Sequence, residues 1–334
     1  MTRTRVLIVD RDEPEPDLIA EAAVVLSRGG LVAFATETVY GLGAVATNAD
    51  AVRGIFQAKG RPSNNPLIVH AADVDHARRY AARWDDRAES LARRFWPGPL
   101  TLVVPRTASI PDVVAAGGPT VGVRVPAPTV ARRLIERVGL PLAAPSANRS
   151  NRISPTLAEH VAADLDGRVD LILDSGPTAV GLESTVLDLT AEPPRVLRPG
   201  PITADELSAA LGVAVESGPV ATDPGRLASP GMLPVHYAPK TRALRVPTVA
   251  ELVAVDWPER AGLIAFEPLP EGSIPDRVVR FVLPDPVVAA RELYRALHDL
   301  DARGLDLIVA VEPPAGAAWD APRDRLRRAT TPHR

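Results

Sequence analysis

Residues 31–70 read LVAFATETVYGLGAVATNADAVRGIFQAKGRPSNNPLIVH, and this stretch decides the fold class. Residues 31–36 form an apolar run of strand length. Asn48 or Asp50 caps a helix that continues to Lys59, and residues 66–71 form a second apolar strand. Strand, helix and strand in succession are the signature of an α/β fold. Upstream, residues 17–28 set Ile19, Ala22, Ala23 and Leu26 on one helical face and stop at Gly29 and Gly30. Downstream, helices are predicted at 74–83, 86–95, 130–138 and 157–164, and one from the cap Thr203 to Leu211. Strands are predicted at 100–105, 120–125, 142–144, 171–174, 185–189 and 195–198. Long stretches lack a clean βαβ order, so a twisted mixed sheet is expected rather than a purely parallel one.

The character of the chain changes at 213–240, which is rich in Pro, Gly and Ser and has no apolar period. Such a composition reads as a linker. Beyond it, strands at 242–246, 262–266 and 307–311 alternate with helices near 249–255 and 286–302. Asp285 starts the second of these helices and Gly304 stops it. A basic helix follows at 320–328. The predicted organisation is a main domain over 1–212, a linker over 213–240 and a small α/β, Rossmann-like domain over 241–334.

Composition narrows the function. The chain has 334 residues, 46% hydrophobic and 24% charged, an ordinary globular balance. Its formal charge of -3 argues against a basic nucleic-acid module. No cysteine is present, which excludes disulfides, thiolate metal sites and a cysteine nucleophile. No apolar run approaches the ~18–20 residues of a membrane span, and no secretory signal is recognisable, so a soluble, cytoplasmic protein is expected. Lysine occurs only at Lys59 and Lys240 while arginine is plentiful.

The densest polar cluster is 57–70. Lys59 and Arg61 flank Gly60, Asn64 and Asn65 add amide donors, and His70 ends the strand. Two cations and amides in a Gly/Pro loop suit a triphosphate, although a basic helix C-terminus that complements the macrodipole has the same look. A second cluster, Ala143-Ala144-Pro145-Ser146-Ala147-Asn148, sits where a strand ends, which is where α/β proteins place ligand contacts. It lacks the G-x-S-x-G of a nucleophile elbow. Further clusters are Gly181 to Thr185, Arg198-Pro199-Gly200, and Thr120 with Arg124 on one strand face. An arginine on an apolar strand needs a carboxylate partner or an anionic ligand. The fragment Gly41-Leu42-Gly43 is a poor dinucleotide motif, because TETVY separates it from the strand. The six histidines show no metal-ligand spacing.

Taken in order, TETVYGLG, KGRP, NPLIVH, WPGPLT, VRVP, APSAN, LESTV and LRPG resemble the YrdC-like domain of the L-threonylcarbamoyladenylate synthase family over roughly residues 15–212. PGMLPVHYAP and the domain after it resemble the long, two-domain form of that family. The resemblance implies a nucleotidyltransferase. L-threonine, bicarbonate (or CO2) and ATP would give threonylcarbamoyl-AMP and pyrophosphate, for tRNA threonylcarbamoyladenosine modification next to the anticodon. It implies ATP contacts at Lys59, Arg61, Asn65, Thr120, Ser146, Asn148, Ser154, Arg198 and Tyr237. L-threonine contacts are implied at Thr38, His70, Arg124, Ala144 and Ser184. No residue is implied as a general acid or base. Mg²⁺ would arrive with ATP rather than in a protein cage. A downstream threonylcarbamoyl transferase complex is an implied partner, and tRNA binding by this chain is not required. The resemblance implies that Tyr237 reaches back to ATP; the length and Pro/Gly content of 213–240 suggest a lid over the nucleotide, the alternative being that Tyr237 packs between the domains. A carbamoyltransferase maturation factor shares the YrdC-like domain but also carries zinc-finger segments, which a chain without cysteine lacks. An RNA-binding module and a regulatory nucleotide-binding protein are the remaining alternatives.

Overall fold

The computed structural model describes residues 3–218, 236–272 and 274–330. They fall into two compact units. The first holds the residues up to Ser150 together with 155–179 and 183–218; the second holds Asn151–Ser154, Val180–Leu182 and the residues from His236 onward. Most of the expected linker, 219–235, lies outside the described residues.

In the first unit the chain runs β1 (Arg5–Ile8), α1 (Pro16–Ser27), β2 (Val32–Ala35), β3 (Tyr40–Val45), α2 (Ala49–Lys59) and β4 (Ile68–His70). It continues through α3 (Val74–Arg78), α4 (Asp86–Phe95), β5 (Leu100–Pro105), β6 (Thr120–Arg124), α5 (Thr129–Val138) and β7 (Leu142–Ala143). α6 (Ala158–Leu165), β8 (Leu171–Asp174), β9 (Thr185–Asp188), β10 (Arg195–Arg198), α7 (Ala204–Leu211) and β11 (Glu216–Ser217) complete it. The strands make one mixed sheet in the order β1-β8-β2-β3-β7-β4-β6-β5-β9-β10-β11. β2 explains why its strands are apolar throughout. Val32 and Phe34 pack with Ile19, Leu26, Leu134 and Ile135 of α1 and α5. Ala33 and Ala35 face the other way, into a core with Val52, Ile55, Leu91 and Val161 of α2, α4 and α6. Helices cover both faces, so both sets of alternating side chains are buried.

Local signals set the helix ends. The Asn48 side chain accepts from the backbone N–H of Asp50 and Ala51 at the start of α2. Thr203 and Glu206 form a capping box on α7. Gly60 ends α2 with φ 61°, a left-handed conformation that costs a side chain about 1–2 kcal/mol.

The first unit departs from the sequence reading at four places: β1 was not anticipated, nor was β11, which falls within the expected linker, and two further differences have a clear physical cause. β3 was not anticipated: it carries Gly41 and Gly43, pairs antiparallel with β2, and so is a strand rather than a phosphate-binding turn. The helix expected at 74–83 stops at Arg78, because the Ala82 N–H bonds to the Pro105 carbonyl and Ala81 bridges to Arg106. Pairing with the end of β5 replaces the last helical turns.

The second unit contains β12 (Ala243–Val246), β13 (Ala261–Ala265), β14 (Val279–Val282), α8 (Pro286–Ala302), β15 (Leu307–Val311) and α9 (Asp320–Ala329). Its four-stranded sheet, in the order β12-β15-β13-β14, is parallel throughout. The helix expected near 249–255 is a 3-10 turn at Val249–Ala254, and β14 had no sequence signal strong enough to announce it. Asp285 caps α8 by accepting from the N–H groups of Val287 and Val288.

Candidate active site

The central strands β3, β7, β4, β6, β5, β9 and β10 are successive neighbours, and all but β5 carry or border one of the polar residues singled out above. Thr38 precedes β3, Ala144 and Ser146 follow β7, and His70 and Arg124 end β4 and β6. Ser184 precedes β9, and Arg198 ends β10.

Lys59 is the last residue of α2, where the sequence placed the helix end, and it is buried. Its ammonium donates to the carbonyls of Ser146 and Asn148 and, at 3.3 Å, to the Asn148 side-chain oxygen. All three acceptors are neutral. Burial, with the Arg61 guanidinium beside it, holds the Lys59 amine well below the usual lysine range, and Asp164 opposes the shift only in part. Gly60 turns the chain so that buried Arg61 follows at once. The Arg61 guanidinium donates to the Asn65 carbonyl at 3.2 Å, the Asn65 Oδ1 at 2.6 Å and the Pro66 carbonyl at 2.9 Å. Asn65 is fully buried, and its Nδ2 has no hydrogen-bond partner among the described residues.

Arg124 organises a second corner. Its Nε donates to the Gly98 carbonyl at 3.1 Å and its Nη1 to the Thr38 hydroxyl at 3.1 Å. Its Nη2 lies 2.7 Å from Glu37 Oε1. The other Glu37 oxygen accepts from the Ala127 N–H at 3.1 Å. His70 is the register partner of Arg124 across β4 and β6. Burial and the Arg124 charge push the His70 imidazole down to about 3, so it is neutral at physiological pH, and its Nδ1 has no partner.

A third group joins β5, β9 and β10. The Ser184 hydroxyl pairs with the Thr101 hydroxyl at 2.8 Å and accepts from Arg198 Nη2 at 3.0 Å. Arg198 also donates to the Ser184 carbonyl. Gly200 makes this approach feasible, because a Cβ there would lie 2.3 Å from the Thr185 nitrogen.

The sequence-predicted residues therefore gather in part. Lys59, Ser146 and Asn148 meet; so do Arg61 and Asn65, Thr38, His70 and Arg124, and Ser184 and Arg198. Ala144 donates its N–H to the Ile68 carbonyl beside them. Thr120 starts β6, about 13 Å along the strand from Arg124, and pairs with Pro105. Ser154 and Tyr237 belong to the second unit. There the Ser154 carbonyl faces His298 Nε2 at 3.1 Å. The buried Tyr237 ring packs on His236 and Tyr294 and under Arg325.

Sequence reasoning missed Glu37, Thr36 and Thr101. The first two stand in TETVY, where an acid flanked by threonines gave a signal that could have been paired with the carboxylate Arg124 demanded.

Comparison with known proteins shows the family. The Sua5, YciO and YrdC family, described as telomere recombination, matches residues 24–200. The threonylcarbamoyl-AMP synthase C-terminal domain matches residues 202–331. The threonylcarbamoyl-AMP synthase of Pyrococcus abyssi is 41% identical over 97% of this chain and 97% of its own length. That of Bacillus subtilis is 42% identical over 93% of this chain and 92% of its own. The crystal structure of P. abyssi Sua5 complexed with L-threonine has a TM-score of 0.88 and 40% identity, covering 98% of each chain. Both units are thus accounted for in their order along the sequence, and the chain belongs to the two-domain threonylcarbamoyl-AMP synthase family.

Proposed function

We propose that this enzyme condenses L-threonine, bicarbonate or CO2, and ATP into threonylcarbamoyl-AMP and pyrophosphate, and so acts as a nucleotidyltransferase. The observation that carries the reading is the corner at Arg124: a buried guanidinium beside the Thr38 hydroxyl and a neutral His70. Arg124 anchors the threonine carboxylate, and Thr38, His70, Ala144 and Ser184 read the rest of the amino acid. Lys59, Arg61 and Asn65 bind the triphosphate; Thr120, Ser146, Asn148, Ser154, Arg198 and Tyr237 serve the rest of the nucleotide.

The threonine amine, once deprotonated, bonds to the carbon of CO2 or bicarbonate to give a carbamate; from bicarbonate, water leaves. A carbamate oxygen then attacks the α-phosphorus, the bond between α-phosphorus and bridging oxygen breaks, and pyrophosphate departs. No enzyme nucleophile is required. The chain contributes positioning and stabilisation of phosphate charge. Mg²⁺ belongs to the ATP substrate in this reading. Among the described residues no three His, Asp or Glu side chains converge into a cage for it. The product would pass to a threonylcarbamoyl transferase acting on tRNA. No helix among the described residues is long and apolar enough to cross a membrane.

ATP–pyrophosphate exchange tests the proposal. Exchange should require threonine and bicarbonate together. Exchange with ATP alone, or with threonine but no carbon source, would overturn the reaction as written.

A further inference from the structure

The Arg124 guanidinium has five N–H groups; within the described residues two donate, to Gly98 and Thr38, and Nη2 forms an ion pair with Glu37 that lacks hydrogen-bond geometry. Donors are left on both Nη atoms, enough for the bidentate pair a carboxylate takes. The commitment to Glu37 is the one that invites explanation. Both side chains are buried, with Arg124 3% and Glu37 8% exposed, and a buried ion pair is a poor source of net stability. It does have a consequence for binding. With Arg124 paired to Glu37 and His70 neutral, the corner carries no net charge while still presenting directed donors. A lone buried arginine would draw in any small carboxylate. A neutralised one favours a ligand that is itself neutral overall, carrying an ammonium as well as a carboxylate.

We propose that Glu37 is a positioning residue for Arg124 and that its charge sets the preference of the site for a zwitterionic amino acid over a plain hydroxy acid. Two contacts hold Glu37 in that post. Oε1 pairs with Nη2, and Oε2 accepts from the Ala127 N–H, so the carboxylate ties the segment after β6 to the strand end that carries Arg124. This inference rests on the reading that Arg124 anchors the threonine carboxylate.

The test compares two ligands of the same length, L-threonine and 3-hydroxybutyrate, which lacks only the amine. Binding is measured by calorimetry on the full chain. Glu37→Gln should weaken threonine at least about tenfold and 3-hydroxybutyrate by less than about threefold, compressing the ratio of affinities. Glu37→Asp keeps the charge and should keep the ratio within about twofold, even where both affinities fall. A merely structural role would weaken both ligands equally; equal loss, or no loss, in Glu37→Gln overturns the proposal. Should Glu37→Gln fail to fold, Glu37→Asp decides, and a compressed ratio there overturns it. Arg124→Gln separates the underlying reading. If it binds threonine as the wild type does, the anchor assignment fails. If it loses threonine while Glu37→Gln keeps the ratio, only the role of Glu37 fails.

Discussion

Two buried cations of the first unit, Lys59 and Arg124, are satisfied in opposite ways. Lys59 is held by three neutral oxygens and keeps its charge only against its surroundings, which push the amine towards the neutral form. Arg124 faces a carboxylate, and the pair is balanced before any ligand arrives. A cation propped on carbonyls gains most from an incoming anion, because that anion supplies the countercharge the protein withholds. A cation already neutralised gains from a ligand that matches its remaining donors without adding net charge. The same sheet thus builds one corner suited to a polyanion and another suited to a zwitterion.

Removing the unbalanced cation should have the largest effect. Lys59→Ala is expected to lower turnover at subsaturating ATP by about ten- to a hundredfold, since a charge-assisted contact contributes ~1.5–3 kcal/mol. The same change leaves the carbonyls of Ser146 and Asn148 without their donor, so a fall in melting temperature should accompany it. Arg61→Ala, which frees Asn65 instead, should act in the same direction. Full activity of either variant at low ATP would erase the distinction between the corners.

How far the sequence foretold this contrast depends on the type of signal. Helices with caps and faces were legible: Asn48, Thr203 and Asp285 all cap where expected, and the apolar face of α1 is the one buried. β3 was not, because Gly41 and Gly43 carry no strand pattern and are explained only by the close packing of Phe34 and Ala144 against them. At the site, residue types gave Lys59, Arg61 and Arg124, and the need of a buried arginine for an anion was stated. The acid in TETVY was a candidate for that anion, but only the sheet brings Glu37 and Arg124 together across 86 intervening positions. The same holds for the burial of Lys59: the sequence marked it as the end of a helix, and tertiary packing encloses that end.

A finer measurement sharpens the comparison. In the unliganded protein the Lys59 amine lies well below its usual 10.5, with burial the main cause. Between that depressed value and 10.5 the unfolded chain binds more protons than the folded one, so stability rises with pH across the window. A bound triphosphate should restore the charge and raise the value, so ATP binding should take up as much as about one proton within the window. Calorimetry in buffers of different ionisation enthalpy at about pH 8.5, above the last ATP phosphate titration, would read it. Lys59→Met should abolish the uptake, and threonine, which meets the balanced corner, should cause almost none. Equal uptake by wild type and Lys59→Met would assign the proton elsewhere.

The smallest expected effect concerns a single hydroxyl proton. The Thr36 hydroxyl lies 2.7 Å from the Val39 carbonyl, which can only accept, and 2.8 Å from the Thr38 hydroxyl. Thr36 has one proton to give. Spent on Val39, it leaves the Thr36 oxygen an acceptor, towards the backbone N–H of Thr38 and Val39 at 3.2 Å each and towards the Thr38 hydroxyl; with the Thr38 proton directed there, the Thr38 oxygen offers only lone pairs. One of these accepts from Arg124 Nη1 at 3.1 Å, and Arg124 can do nothing but donate. Thr38 is thus left as an acceptor towards a ligand, fit for an ammonium or hydroxyl proton and unfit for a second acceptor. Thr36→Val keeps the shape and frees the Thr38 proton. A hydrogen bond of net ~1 kcal/mol predicts a rise of about fivefold in KM for threonine, with kcat within about twofold. Thr36→Ser retains the hydroxyl and should stay near wild type. If Ser and Val at position 36 behave alike, or if Val lowers kcat and raises KM together, proton order in this corner is not what tunes threonine binding.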